Sequence, residues 1–483
     1  RAGADGVIAS CTEMALSVRA AWQAGGEGKS PAVYAISSRR TFLEEDCTAY
    51  EMNYRLLGQQ ACRALIAQTP LPERELPADG LRKKTFAPRV AKEQTLRLLT
   101  QNSSFTQALR LLAPGLRRAT GLTLKITCFP RNELFDVIEA MGTTDAYDLI
   151  RMDMHWMDWY GTRVFTPLDA LPLDVNGILQ KMVPGMDGEY TSVNGVRYLL
   201  PLEPSALLLF YRRDLFEDAA TCRSYYETTR KELAVPETFE EYLRVAAFFS
   251  QSVHPASRTP YGCTVTHPAN EFLSSLLGVL PGGKLRSFEA PECIAQFKRY
   301  LHGEQYAYLS ATNQWVEAAD QFIAGNCAMT ILFTNYVEHI VSNPMAYVAG
   351  RVGLTKLPGM IPFLGGGVIG VPEASRHKEE AARFLEWTYD DGVSQQLALL
   401  SGCSACSVAY ENPETKALYP WLDVVKASFA GGIRRGLFEG VRSPFNGKLM
   451  ENHLGIACRN AADGVMTPEQ AMAYAESIYR QLK

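Results

Sequence analysis

Three short apolar runs, two of them bridged by a segment with helical periodicity, constrain this chain more than any other feature. "TLRLLTQN" (95–102), "GLTLKITCF" (121–129) and "YDLIRMD" (147–153) read as strands. Between the first two, Leu109, Leu112 and Leu116 recur at the period of an amphipathic helix. Strands that alternate with helices specify an α/β unit with a largely parallel sheet, because parallel neighbours need a long crossover. The N-terminal part repeats the pattern. "ADGVIAS" (4–10) and "AVYAIS" (32–37) read as buried strands, with helices expected over Met14–Trp22 and Tyr54–Gln68, a βαβα segment. Pro70, Pro72 and Pro77 and a small basic run then give residues 68–92 the composition of a linker.

At 483 residues the chain exceeds what one hydrophobic core usually serves, so two or three compact units are expected. A net charge of −4 provides no global attraction to nucleic acid or anionic lipid. No segment approaches the roughly 20 apolar residues of a membrane span. The first residues lack the order of a signal peptide and begin in mid-pattern, as a fragment of a longer product would. Eleven cysteines, several within apolar runs, are the usage of unpaired thiols in a reducing compartment. A cytoplasmic location is the resulting expectation; an extracytoplasmic, membrane-anchored protein is its alternative.

Enzyme motifs are missing: there is no Gly-x-Ser-x-Gly, no His-Glu-x-x-His and no dinucleotide fingerprint. Asp153 and Glu203 are the pair a glycosidase reading would use, since that chemistry needs two opposed carboxylates. "CSAC" (403–406) has redox spacing without the strand-to-helix context of a thioredoxin site, and no second cysteine pair matches it for zinc. The glycines at 365–367 lack the Gly-Lys-Ser/Thr ending of a phosphate loop and precede a strand. No cofactor or metal is expected.

The order of landmarks from about residue 95 onward resembles the family 1 extracellular solute-binding proteins, the receptors of ATP-driven sugar importers. The segments that carry the resemblance are "YDLIRMDMHWMDWYGTRVFTPLDAL", "NGVRYLLPLEPSALLLFYRRDLF", "VPETFEEYLRVAAFF" (with Phe239 where the family usually has tryptophan), "FIAGNCAMTILFTNY", "GGGVIGVPEASRHKEEAARFLEW" and "GVMTPEQAMAYAESI". The resemblance implies a type II periplasmic-binding-protein-like fold: two α/β lobes with a hinge and central cleft over 93–483. Lobe 1 is expected over about 93–205 and 364–412, and lobe 2 over about 206–363 and 413–483. Residues 1–88, through "DGVIASCTEMALSVRAAWQAGG" and "YRLLGQQACRALIAQ", are similar to the C-terminal half of the effector domain of lac-repressor-type regulators. There Glu13 replaces the usual aspartate and "ISSRR" an acidic loop, so a working sugar site in this part is doubtful.

Together the two resemblances imply a carbohydrate-binding, non-enzymatic module that senses its ligand for a bacterial transcriptional regulator. DNA would be reached only through a headpiece absent from this chain, and a homodimer is the expected assembly. The alternative is the receptor of an ABC importer, with a permease as partner. A carbohydrate-active enzyme is a third reading.

A sugar presents an apolar C–H face and a rim of hydroxyls, which a ring beside carboxylates and amides satisfies together. "DMHWMDW" offers that mixture just after a strand, although Met152, Met154 and Met157 equally suit a core segment. The resemblance places Trp156 and Asp153 on the cleft and leaves Trp159 open to packing. It also brings in Asn102 and Ser103, which can cap the following helix as well, and Glu203, which a hinge salt bridge would equally explain. Trp315, Asn335 and Tyr336 are expected from the second lobe, Gly366 from the hinge and Arg442 from the C-terminal part.

Overall fold

The computed structural model describes residues 6–9, 18, 32–38, 47–52, 78–84 and 94–483, apart from 143, 281–283, 311–314, 342–345 and 435–442. Near the N-terminus, β1 (Gly6–Ala9), β2 (Ala32–Ser38), β3 (Cys47–Met52) and β4 (Ala78–Lys84) form one sheet in that order. The first three are parallel and β4 is antiparallel to β3. The two helices expected here lie, Val18 aside, outside the described residues. β4 corrects the linker reading of 68–92. Its Arg82, Lys83 and Lys84 hide the strand in the sequence, and an edge strand tolerates such charges because one of its sides has no neighbour.

The larger part begins with β5 (Gln94–Gln101), α1 (Ser104–Thr120), β6 (Leu122–Phe129), α2 (Arg131–Met141) and β7 (Leu149–Asp153). α1 starts where the Ser103 hydroxyl accepts the Thr106 N–H at 3.2 Å. It stops at Gly121, whose φ of 75° supplies the left-handed cap that glycine adopts without strain. β5 is parallel to both β6 and β7, so the three strands end on the same edge.

The sheet then incorporates β8 (Leu200–Arg212), β9 (Met329–Phe333), β10 (Val352–Thr355), β11 (Phe363–Gly370) and β12 (Ile433–Arg434). Its order is β9-β8-β11-β7-β5-β6, with β10 on β8 and β12 on β11. β8 is the unusual member. Its first half, Leu200–Ala206, pairs antiparallel with β11, and from Leu207 it pairs with β9 and then β10. One continuous strand thus belongs to two α/β units.

α3 (Pro268–Val279), α4 (Pro291–Glu304) and α5 (Trp315–Ile323) follow β8, α5 lying on β9, before α6 (Lys378–Thr388) and α7 (Asp391–Ser401) return to pack on α1. α8 (Leu422–Ala430) lies against β8, while α9 (Gly447–Ala462) and α10 (Pro468–Leu482) join α3 and α4. Residues 413–434 therefore stay with the first unit, contrary to the expected boundary at 413. The Tyr419 hydroxyl donates to the Leu399 carbonyl at 2.9 Å, and the Phe429 ring lies 6.5 Å from that of Tyr190. The apolar face of α8 decides its side, a choice that local sequence does not record.

In the second unit the carboxyl of Glu271 on α3 accepts the Thr266 N–H at 2.9 Å, and Glu304 ends α4. Burial pushes Glu271 up to about 8, against the backbone N–H bonds of Thr266 and His267. Burial likewise pushes Glu304 up to about 7, against the Tyr300 hydroxyl and Arg459. A neutral buried carboxyl holds a proton that the unfolded chain releases above its ordinary value of about 4.5. Its contribution is complete below that pH and is lost as pH rises through the folded value. Denaturant melts between pH 5 and 9 should show stability falling across this window, and Glu271→Gln should flatten the slope. A wild-type profile without any decline would overturn the assignment.

Candidate functional site

A cavity of about 570 Å³ opens where β8 and β11 run between the two units. One wall is built at the C-terminal edge of the three parallel strands, where α/β sheets present their loops. β5 ends in Gln101, Asn102, Ser103 and Ser104; the turn after β6 delivers Arg131; β7 ends in Arg151, Asp153 and His155. The opposite wall carries Trp315, Val316, Phe333, Asn335, Tyr336 and His339, while Glu203 and Gly366 come from the crossing strands.

The polar groups form a paired network. Glu203 is buried and takes the Arg151 guanidinium as an ion pair together with the Ser103 hydroxyl at 3.1 Å. Arg151 also donates to the Gln101 side-chain oxygen at 2.8 Å. A buried carboxylate without such partners would be strongly disfavoured, so this pair has a structural reason. Asp153 accepts Arg131 through Nε, the His155 N–H at 3.0 Å, and the His155 ring at 2.6 Å. The other His155 ring nitrogen meets the Leu364 carbonyl at 3.0 Å. Burial pushes the Tyr336 phenol up to about 12, against the nearby Arg131 charge, so it stands as a neutral donor.

The three consecutive glycines of β11, Gly365–Gly367, make room for this network. A Cβ on Gly367 would lie 2.1 Å from Arg151 Nε, and one on Gly365 would lie 2.5 Å from the Phe333 ring. Gly366 has a φ of +89°, and a Cβ there would stand 1.9 Å from the Glu203 carbonyl oxygen. Close approach of side chains and of the neighbouring strand explains the run.

Of the residues expected from the sequence, Asn102, Ser103, Asp153, Glu203, Trp315, Asn335, Tyr336 and Gly366 meet at this cavity. Arg442 lies outside the described residues. Trp156 is a correction. Its ring is 2% exposed and meets Phe135 edge-to-face at 5.3 Å, inside the core of the first unit. It reaches the site indirectly, because the Arg131 guanidinium lies 5.7 Å from its ring centre. Trp159 is half-buried away from the cavity, donating to Glu139 at 3.1 Å with Arg163 over its face. Trp315 is the tryptophan that lines the cavity, stacked on His267 at 4.8 Å.

Arg131, Arg151 and His155 were missed. Arg151 had a signal: a charge within an otherwise apolar strand, two residues before Asp153 and hence on the same face. Asp153 and Glu203 are both committed to cations, as the network requires. Cys403 and Cys406 are buried thiols outside any disulfide, and burial pushes Cys406 up to about 11, which leaves it unreactive. Among the described residues no cluster of metal-ligating side chains occurs, and no helix is long and apolar enough to cross a membrane.

Shared crossing strands, two α/β units and a cleft of this build define a two-lobed binding protein. The chain belongs to the bacterial extracellular solute-binding protein family, whose model matches residues 102–395. Among solved structures, an ABC-transporter solute-binding protein from Agrobacterium radiobacter K84, in complex with ribitol, matches with TM-score 0.64 and 20% identity over 81% of this chain and 99% of that one. A maltose-bound protein from T. maritima gives 0.64 and 19%, over 80% and 100%. A solute-binding protein from Agrobacterium vitis S4 with bound D-mannitol gives 0.63 and 17%, over 80% and 97%. At these identities the likeness shows the two-lobed fold.

The family is one of binding proteins and not of enzymes. It also corrects the expected cytoplasmic location, since its members are described as extracellular. Unpaired cysteines were a poor guide because a buried thiol acts as a small hydrophobe in any compartment.

The two neighbouring tryptophans provide a direct test. Trp156→Ala should cost about 3–5 kcal/mol in urea unfolding, the range for a large aromatic removed from a core. Trp159→Ala should cost about 1 kcal/mol or less, as for an exposed cation–π partner. Equal costs would contradict the placement of the two rings.

Proposed function

We propose that this chain captures a sugar, polyol or related polyhydroxylated solute by closing two lobes around it, and hands it to the permease of an ABC importer. The observation that carries the proposal is the position of the cavity. It lies on the two crossing strands and has walls from both units, so a bound solute bridges them. A ligand that touches both lobes binds the closed state better and shifts the population towards it.

In this reading lobe 1 comprises about 93–205 and 364–434, and lobe 2 about 206–363 and 447–483. Trp315, Phe333 and Tyr336 cover the C–H face of the solute. Asn102, Ser103, Asp153, Glu203 and Asn335 address its hydroxyls, and Gly366 allows close approach. Delivery to an importer is preferred to sensing for a transcriptional regulator, because the family is described as extracellular and the fold neighbours include ABC-transporter proteins. The likeness of the first 88 residues to lac-repressor-type effector domains is one of sequence, with which the parallel pairing of β1, β2 and β3 is compatible.

The test is a thermal-shift screen of the full chain against mono- and oligosaccharides, polyols and sugar acids, followed by small-angle scattering with the best ligand. A ligand at a hundred times its Kd should stabilise by about 2.7 kcal/mol. The particle should also become more compact, and Trp315→Ala should weaken binding at least tenfold. A blank screen, or binding without compaction, would refute the hinge-closure reading.

A further inference from the structure

The donors and acceptors of the cavity are unevenly distributed. The Gln101 side-chain oxygen already accepts Arg151 at 2.8 Å, that of Asn102 accepts Gln107 at 3.2 Å, and that of Asn335 accepts Ser205 at 3.2 Å. Both oxygens of Asp153 and Oε2 of Glu203 are likewise engaged, which leaves Glu203 Oε1 as the carboxylate oxygen with no hydrogen bond among the described residues. Donors remain in excess. Arg131 spends Nε on Asp153, and among the described residues its two terminal nitrogens have no acceptor. The Tyr336 hydroxyl and the amide N–H groups of Gln101 and Asn335 add to them, and Arg151 Nε is buried without a partner.

The charged groups are paired, so the uneven feature is hydrogen-bonding capacity rather than charge. The His155 ring lies between Asp153 at 2.6 Å and the Leu364 carbonyl at 3.0 Å. The cluster holds Arg131 and Arg151 against Asp153 and Glu203, with the Glu451 carboxylate also attracting Arg131. Of the neighbouring groups, His339 contacts Asp320 at 3.3 Å, while Glu451 accepts Asn270 at 3.0 Å, lies 3.6 Å from His267 and attracts Arg131 without a hydrogen bond to it among the described residues.

We infer that the preferred ligand is a polyhydroxylated monocarboxylate, a sugar acid of the uronate or aldonate class, whose carboxylate is forked by the terminal nitrogens of Arg131. The inference rests on the receptor reading above and narrows its ligand class. A planar guanidinium matches a carboxylate through two parallel N–H···O bonds, which the two terminal nitrogens of Arg131 can supply. The rings of Trp315 and Tyr336 then cover the remaining C–H surface.

Isothermal titration of the full chain with matched pairs tests this: D-galacturonate against D-galactose and D-gluconate against D-glucitol, with galactose 1-phosphate as a further anion. At neutral pH and low salt the acid of at least one pair should bind tenfold or more tightly than its neutral partner. Added salt should narrow the gap. Arg131→Gln should remove most of the preference, while Arg131→Lys, which keeps the charge without the fork, should retain part of it. Neutral partners that bind as tightly as the acids would overturn the inference and leave the receptor reading intact, and a phosphate that outcompetes the carboxylates would overturn the monocarboxylate assignment. Failure of both acids and neutral sugars to bind would bring down the receptor reading itself.

Discussion

The strand Leu200–Arg212 is hydrogen-bonded to one set of neighbours up to Ala206 and to another from Leu207, and the rest of the architecture depends on that exchange. Such a strand must be buried along nearly all of its length, as this one is. It also carries a carboxylate, Glu203, into the cavity between the two units. Desolvation makes an isolated carboxylate there untenable, so a cation has to reach it. Arg151 does so from the adjacent parallel strand system, and the glycines at 365–367 keep the intervening strand thin enough for the guanidinium to pass. Connection, charge pair and glycine run form one solution to a single packing problem.

The same elements make the floor of the cavity. Glu203 and Gly366 belong to the crossing strands, and the Ser103 hydroxyl serves three purposes at once: it caps α1, hydrogen-bonds Glu203 and faces the cavity. In the proposed receptor, ligand contact and lobe movement therefore share atoms, and no separate relay is needed to couple them. Trp156 contributes from behind. Locked in the core beside Phe135, it lies near the Arg131 guanidinium and helps to orient it towards the space where a solute would sit.

Local patterning carried a large share of this information. Short apolar runs located the strands ending in Gln101, Phe129 and Asp153, and period-3.6 spacing the helix between the first two, because burial leaves a direct imprint on local sequence. Most of the cavity-lining positions proposed from sequence were found through their place after those strands or on the crossing segments. The failures have a common origin. β4 was hidden by edge charges, and α8 was assigned to the wrong side because its helical pattern shows that it packs, without showing on what.

Sequence alone thus determined the class of fold, the strands and helix that open the larger part and the family to which the chain belongs, all of which rest on interactions within a few residues or on spaced motifs. Tertiary structure decided which side chains face the cavity. Trp156 and Trp315 are both tryptophans among apolar neighbours, and only the three-dimensional packing buries one against Phe135 and sets the other in the cavity wall. It also decided the cavity's charge and its excess of donors, because each arginine and carboxylate there is defined by its partner. Glu203 meets Ser103 a hundred positions away and Arg151 across an intervening strand, distances over which a linear sequence holds no record of pairing.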